Sequence, residues 1–150
     1  MAFHSGAGRR AKQIEPGLYG LKLIDGAQGA QRISLIRGWL EPGARHSAHT
    51  HDVEEAVVFL GGRGIVELGE ERIDVSRGDA VHIPPGVVHS TLNTGSEDLS
   101  FIAAFADALI TSDTAMRAGH VPEARTSSIR HRIAWLLRRT AARIGRRRGA

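Results

Sequence analysis

The 150 residues include no cysteine. This removes disulfides, iron–sulfur clusters, thiolate-bound zinc and a cysteine nucleophile from the functions open to the chain. Aromatic residues make up only 5%, and the single tyrosine, Tyr19, falls in an apolar run where packing is its expected job. The opening residues, MAFHSGAGRRAKQ, lack the apolar run of a signal peptide. No stretch reaches the roughly eighteen apolar residues of a membrane span. No integral membrane segment is therefore expected, and the chain reads as a soluble cytoplasmic protein. Acidic side chains are missing from residues 124–150, which carry nine arginines, whereas residues 1–123 carry eleven basic against sixteen acidic side chains, a net of −5. The overall +4 and the pI of about 10.6 belong to the C-terminal segment. The rest is mildly acidic, so its charge gives no reason to expect a nucleic-acid-binding surface there.

What is present is a run of short β-type segments. The length suits one domain with a real core, and 18 glycines point to frequent turns. Leu18 to Ile24, Arg32 to Leu40, Ser47 to His51, Ala56 to Leu60, Gly64 to Leu68, Glu71 to Val75, Ala80 to Ile83, Val88 to Leu92 and Leu99 to Phe105 read as strands. Turn signals such as Asp25-Gly26, Pro42-Gly43 and Arg77-Gly78-Asp79 separate them. Many short strands at near-regular spacing predict an all-β sandwich or barrel. The organisation expected is a flexible leader over 1–16, a barrel over 17–106, a linker over 107–126 and a basic tail over 127–150.

Two segments carry chemistry: Gly43 to Gly62 (GARHSAHTHDVEEAVVFLGG) and Gly78 to Asn93 (GDAVHIPPGVVHSTLN). Three imidazoles and a carboxylate, His49, His51, His89 and Glu55, make a donor set suited to one divalent transition metal. His49, His51 and Glu55 share one parity, and residues of one parity project from one face of an extended strand. The same rule prefers Glu55 to Glu54 and turns His82 outward, leaving His46 as a spare. His89 would arrive from a second strand, after the tight turn that Pro84-Pro85-Gly86 forces. Gly61-Gly62 can supply positive φ at a hairpin, and Asn93 and Asp79 are expected to close turns with their side chains. Val57 and Phe59 share the ligand parity and would wall a substrate cavity, or simply be core. Arg45 has that parity too. Pointing inward it could clamp a carboxylate, although a solvated arginine at a turn is the commoner arrangement.

These motifs resemble those of the cupin superfamily. Gly43, His49, His51, Glu55 and Gly62 match its first motif, and Gly78, Pro84, Gly86, His89 and Asn93 its second. The spacer Arg63 to Arg77 is similar to that of small microbial cupins. The resemblance implies a double-stranded β-helix, or jelly-roll barrel, a homodimer, and a menu of activities: dioxygenases, decarboxylases, isomerases, lyases and cyclases, besides proteins that only bind ligands. Four protein ligands would leave two positions of a six-coordinate metal open. The leading expectation is a mononuclear metal-dependent enzyme of oxidative, dioxygenase type acting on a small oxygenated metabolite. The alternatives are a non-catalytic small-molecule-binding cupin and an oxygen-independent isomerase, cyclase or lyase. Iron comes first among the metals, with manganese, nickel, copper, cobalt and zinc compatible with the same donors.

In the tail, Thr126, Ser127 and Ser128 offer N-caps. Ile129, Ile133, Leu136, Leu137 and Ile144 recur at helical spacing, with arginines on the other faces. The expectation is an amphipathic C-terminal helix packing on the barrel or a dimer partner. Contact with an anionic membrane surface or with nucleic-acid phosphates is the other use of its arginines.

Overall fold

The computed structural model describes residues 8–108, and antiparallel strands account for most of them. In spatial order, β1 (Lys12–Glu15), β2 (Leu18–Ile24), β3 (Ser34–Leu40), β10 (Leu99–Phe105), β5 (Glu55–Gly61) and β8 (Ala80–Ile83) form a six-stranded sheet. A four-stranded sheet packs against it, in the order β4 (Arg45–His49), β9 (His89–Asn93), β6 (Arg63–Leu68) and β7 (Glu71–Ser76). Neighbours far apart in sequence, such as β3 beside β10 and β4 beside β9, make this a jelly roll. Among the described residues there is no α-helix. The expected basic helix, and all of the expected linker after residue 108, lie outside them.

The period-two pattern of apolar side chains produces the core. Along β5, Glu55, Val57 and Phe59 are buried while Ala56, Val58 and Leu60 face out. Leu18, Leu40, Leu99 and Phe105 from the same sheet meet Val66 and Val75 from the other. Each large side chain removed from water in this way stabilises the fold by about 1.5–3 kcal/mol.

Two expectations change here. The sheet begins earlier than expected: Lys12–Glu15, placed in the flexible leader by sequence, is β1 and pairs with β2. Its short polar sequence KQIE carries little strand signal of its own. The second change concerns Gly61-Gly62, which does not close a hairpin, because β5 and β6 belong to different sheets. Gly62 (φ 78°) turns a corner between them, where a Cβ would stand 2.5 Å from the Asp98 carbonyl oxygen. Asn93 behaves as expected. It is 1% exposed, its Nδ2 donates to the carbonyls of Leu40 and Glu97, both at 2.8 Å, and its Oδ1 accepts from the Gly95 amide at 2.9 Å. Asp79 closes its own turn by accepting from the Ser76 amide at 2.8 Å.

Candidate metal centre

His49 ends β4, His89 begins β9 directly opposite it, Glu55 begins β5, and His51 lies in the connection between β4 and β5. They converge, though not from one extended strand as parity suggested. The chain leaves the four-stranded sheet after His49 and enters the six-stranded sheet at Glu55, so the first motif wraps around the centre from both sheets. The Pro84-Pro85-Gly86 turn is held against this wrap, with the Gly86 amide donating to the His51 carbonyl at 2.7 Å.

All four side chains are buried. One ligand atom from each of His49, His51 and His89 lies within 4.8 Å of the others, a group that could hold a metal ion. The Glu55 Oε2 stands 3.2 Å from the Nε2 of both His51 and His89. Those three atoms and His51 Nδ1 have no hydrogen-bond partner, a rare and costly condition for buried polar atoms. The second nitrogens of two rings are fixed from behind. His49 Nδ1 lies 2.6 Å from the Ser47 carbonyl, and His89 Nδ1 lies 2.9 Å from that of Val87. A ring whose Nδ1–H is donated to a carbonyl presents an Nε2 lone pair, the arrangement typical of metal-binding histidines. Phe105 packs edge-on to His51, with ring centroids 5.1 Å apart, and sets an apolar ring against the centre.

The electrostatics agree. Burial, followed by the neighbouring His89 charge, pushes His49 down to about 4, so it is neutral at neutral pH. Burial would push the Glu55 carboxyl up, but the His51 and His89 rings outweigh it and hold the group below its ordinary range. A neutral His49 beside an ionised Glu55 matches the protonation states a divalent cation requires of its donors. The donors present therefore fit a metal.

A cavity of about 840 Å³ opens beside the centre, lined by His46, His51 and Glu55, by apolar side chains including Ile14, Ile36, Phe101 and Phe105, and by Arg9, Arg10, Lys12 and Lys22. Three substrate-site expectations fall elsewhere. Val57 and Phe59 belong to the hydrophobic core beneath and are not among the cavity-lining residues. Arg45 is on the outer face of the four-stranded sheet, where its Nη1 donates to Glu67 Oε2 and to Ser90 Oγ, both at 2.8 Å. The cause is a bulge. Between the pairs His46↔Thr91 and His49↔His89, β4 spends one residue more than β9, which reverses the facing of everything before it. His46, a spare by sequence, consequently faces in, its ring 4.0 Å from that of His49. Burial, then the His49 charge, pushes it down to about 3. Glu54 and His82 pair outside the barrel at 3.5 Å, both exposed as expected. Sequence reading missed Glu15, which accepts from the Ser47 hydroxyl at 2.7 Å and lies 3.6 Å from His46. It also missed the cationic wall. No strand pattern pointed to either.

A small antiparallel jelly roll with a buried histidine–carboxylate cluster at one end of its barrel defines the class of protein. A family model described as a cupin domain matches residues 39–105. That match takes in 67 of the 150 residues, and both histidine-bearing motifs fall inside it. It is 31% identical over 70 residues to an uncharacterized protein of Methanocaldococcus jannaschii and 33% identical over 66 residues to one of Streptomyces coelicolor. Those matches take in 46% and 44% of this chain, and 56% and 62% of those proteins' own lengths. Among solved structures, an RmlC-like cupin from Shewanella frigidimarina superposes with a TM-score of 0.63 at 20% identity, over 73% of this chain and 93% of that one. A Bacillus subtilis oxalate decarboxylase studied for its Mn(II) centres does so with a TM-score of 0.65 at 21% identity, over 74% of this chain and 30% of that one. These likenesses are of fold.

Proposed function

We propose that the chain is a mononuclear metal-dependent cupin enzyme in which His49, His51, Glu55 and His89 hold one divalent transition metal, iron first, and act on a small oxygenated metabolite with dioxygen. The observation that carries this reading is the set of orphaned atoms: His51 Nε2, Glu55 Oε2 and His89 Nε2 are buried together with nothing but one another to satisfy them. When bound, such a metal supplies a Lewis acid for adjacent substrate oxygens and, if redox-active, an electron for dioxygen. The protein's part is to keep two Nε2 lone pairs aimed inward through the Ser47 and Val87 carbonyls, to set the apolar ring of Phe105 against His51, and to offer a cavity on one side of the centre. The oxalate decarboxylase with named Mn(II) centres supports a metal in this fold and leaves manganese as a second choice.

The test is elemental analysis of protein purified without added metal, with His89→Ala as its control. About one transition-metal ion per chain, lost in the variant, is expected. Metal-free wild-type protein would overturn the assignment. Turnover of a metabolite panel with and without oxygen then separates reaction classes, and undiminished anaerobic turnover would leave an isomerase, cyclase or lyase. The partner reading is a homodimer formed through the outer face of β5, where Val58 and Leu60 are 42% and 44% exposed. Solution molar mass tests it, and Val58→Lys should give the monomer.

A further inference from the structure

We propose that the cavity receives an organic anion, its carboxylate held by Arg10 and Lys12 at the β1–β2 end and its apolar body directed along the six-stranded sheet toward the metal centre. This rests on the metal reading for its far end and on independent observations for its near end.

Four cations line the cavity, Arg9, Arg10, Lys12 and Lys22, against one carboxylate, Glu55, which belongs to the metal centre. Two of the four are already engaged. Arg9 Nη1 donates to the carbonyls of Lys22 and Leu23, both at 3.0 Å, and so fastens the chain before β1 over the end of β2. Lys22 pairs with Asp25 at 3.4 Å. Arg10 and Lys12 are exposed and enter no ion pair among the described residues. A surplus of two uncompensated cations beside a low-dielectric wall attracts one anionic group and discriminates against a neutral one. The wall between is apolar, carried by Ile14, Ile36, Phe101 and Ala103.

The sheet order sets the length. β1, which carries Lys12, lies four strands from β5, and at roughly 4.8 Å per strand this is about 19 Å along the curved sheet. Arginine and lysine side chains shorten the gap to about the length of two fused aromatic rings bearing substituents at both ends. A volume of about 840 Å³ also suits a body of that size, and exceeds by far the needs of a two-carbon acid. The chemistry so defined is an amphiphilic carboxylate whose opposite end carries an oxygen donor.

The test uses titration calorimetry on the full, metal-loaded chain, with a hydroxynaphthoate bearing its hydroxyl and carboxylate at opposite ends of the rings, and with its methyl ester. The acid should bind about tenfold more tightly than the ester, roughly the loss of one well-placed charge interaction, and added salt should erode only the acid's advantage. In the double variant Arg10→Gln/Lys12→Gln, acid and ester should bind alike while metal content stays unchanged. Equal binding of acid and ester by the unaltered protein, no binding of either, or an undiminished preference in the double variant would overturn the proposal. If the double variant misfolds, the acid–ester comparison on the unaltered protein decides. Acid preference in protein that elemental analysis finds free of metal would support the anion end and overturn the metal reading instead.

Discussion

Asn93 and Glu67 mark two extremes of what one polar side chain does in this barrel. Asn93 is sealed in, with three hydrogen bonds that tie the end of β9 to β3 and to the turn before β10. Asn93→Ala removes the side chain, leaves the buried Leu40 carbonyl without this donor and unties the part-buried turn at Gly95 and Glu97. A loss of about 3 kcal/mol is expected, read as a lower urea midpoint with an unchanged slope. Glu67 sits in solvent, where the Arg45 guanidinium and then the Ser90 hydroxyl stabilise its ionised form and hold its carboxyl at about 2, against an ordinary value of 4.5. A depressed carboxyl favours folding above its unfolded value and loses that contribution as pH falls from about 4.5 through 2. Because the pair is exposed, the effect on stability is small, and the titration itself is the better readout. In Arg45→Gln the Glu67 carboxyl carbon, followed by NMR, should titrate closer to 4.5. An unmoved midpoint would show that Arg45 is not its partner in solution.

How β4 and β1 meet explains both what was legible in the sequence and what was not. The strands were readable because β5, β8 and β10 are short, largely apolar runs between turn residues, and Leu99–Phe105 was delimited to the residue. The ligands were readable because His49, His51, Glu55 and His89 stand at fixed distances from glycines and prolines whose backbone demands are local. Facing along β4 was not readable. One unpaired residue between His46 and His49 inverts the strand, so Arg45 and Ser47 point out and His46 points in, and RHSAH carries no glycine to announce a bulge. The depth of Val57 and Phe59 depends on which strands close over them, and that follows from sheet order, not from alternation. β1 was invisible for a related reason. Its partner β2 is adjacent, but its anchor is remote: Glu15 crosses to β4 and takes both the Ser47 hydroxyl, at 2.7 Å, and the Ser47 amide, at 3.1 Å. This contact joins the edge of one sheet to the edge of the other. Glu15→Ala should therefore release β1, with faster hydrogen exchange at the amides of Lys12–Glu15 and at Ser47, while the β3–β10 and β5–β10 ladders stay protected. Uniform acceleration across the barrel would mean that β1 is part of its cooperative core.

The proposed metal site is also a junction between the two sheets. His49 and His89 come from the four-stranded sheet, Glu55 from the six-stranded one, and His51 from the segment that crosses between them. Unfolding would scatter these four donors along 41 residues of sequence, from 49 to 89, so the native state binds a cation far better than the unfolded chain. Any ligand with that preference stabilises the fold by mass action, by about 2.7 kcal/mol when its free concentration is a hundred times its Kd. For roughly a hundred ordered residues, each kcal/mol moves the melting temperature by about 4–8 °C, so the metal should raise it by roughly 10–20 °C. The core around Leu18, Leu40, Phe59, Val66 and Leu99 is built from apolar side chains and includes none of the four donors, so the stripped protein should remain folded. Glu55→Gln is the decisive control. It preserves the size of the side chain but removes its negative charge, so it should melt at one temperature with or without metal, while wild-type protein moves down with a chelator and up again on reloading. Identical melting of wild-type protein in chelator and in metal would mean that these four side chains do not share a cation. Their buried, unpartnered nitrogens and oxygen would then need another explanation.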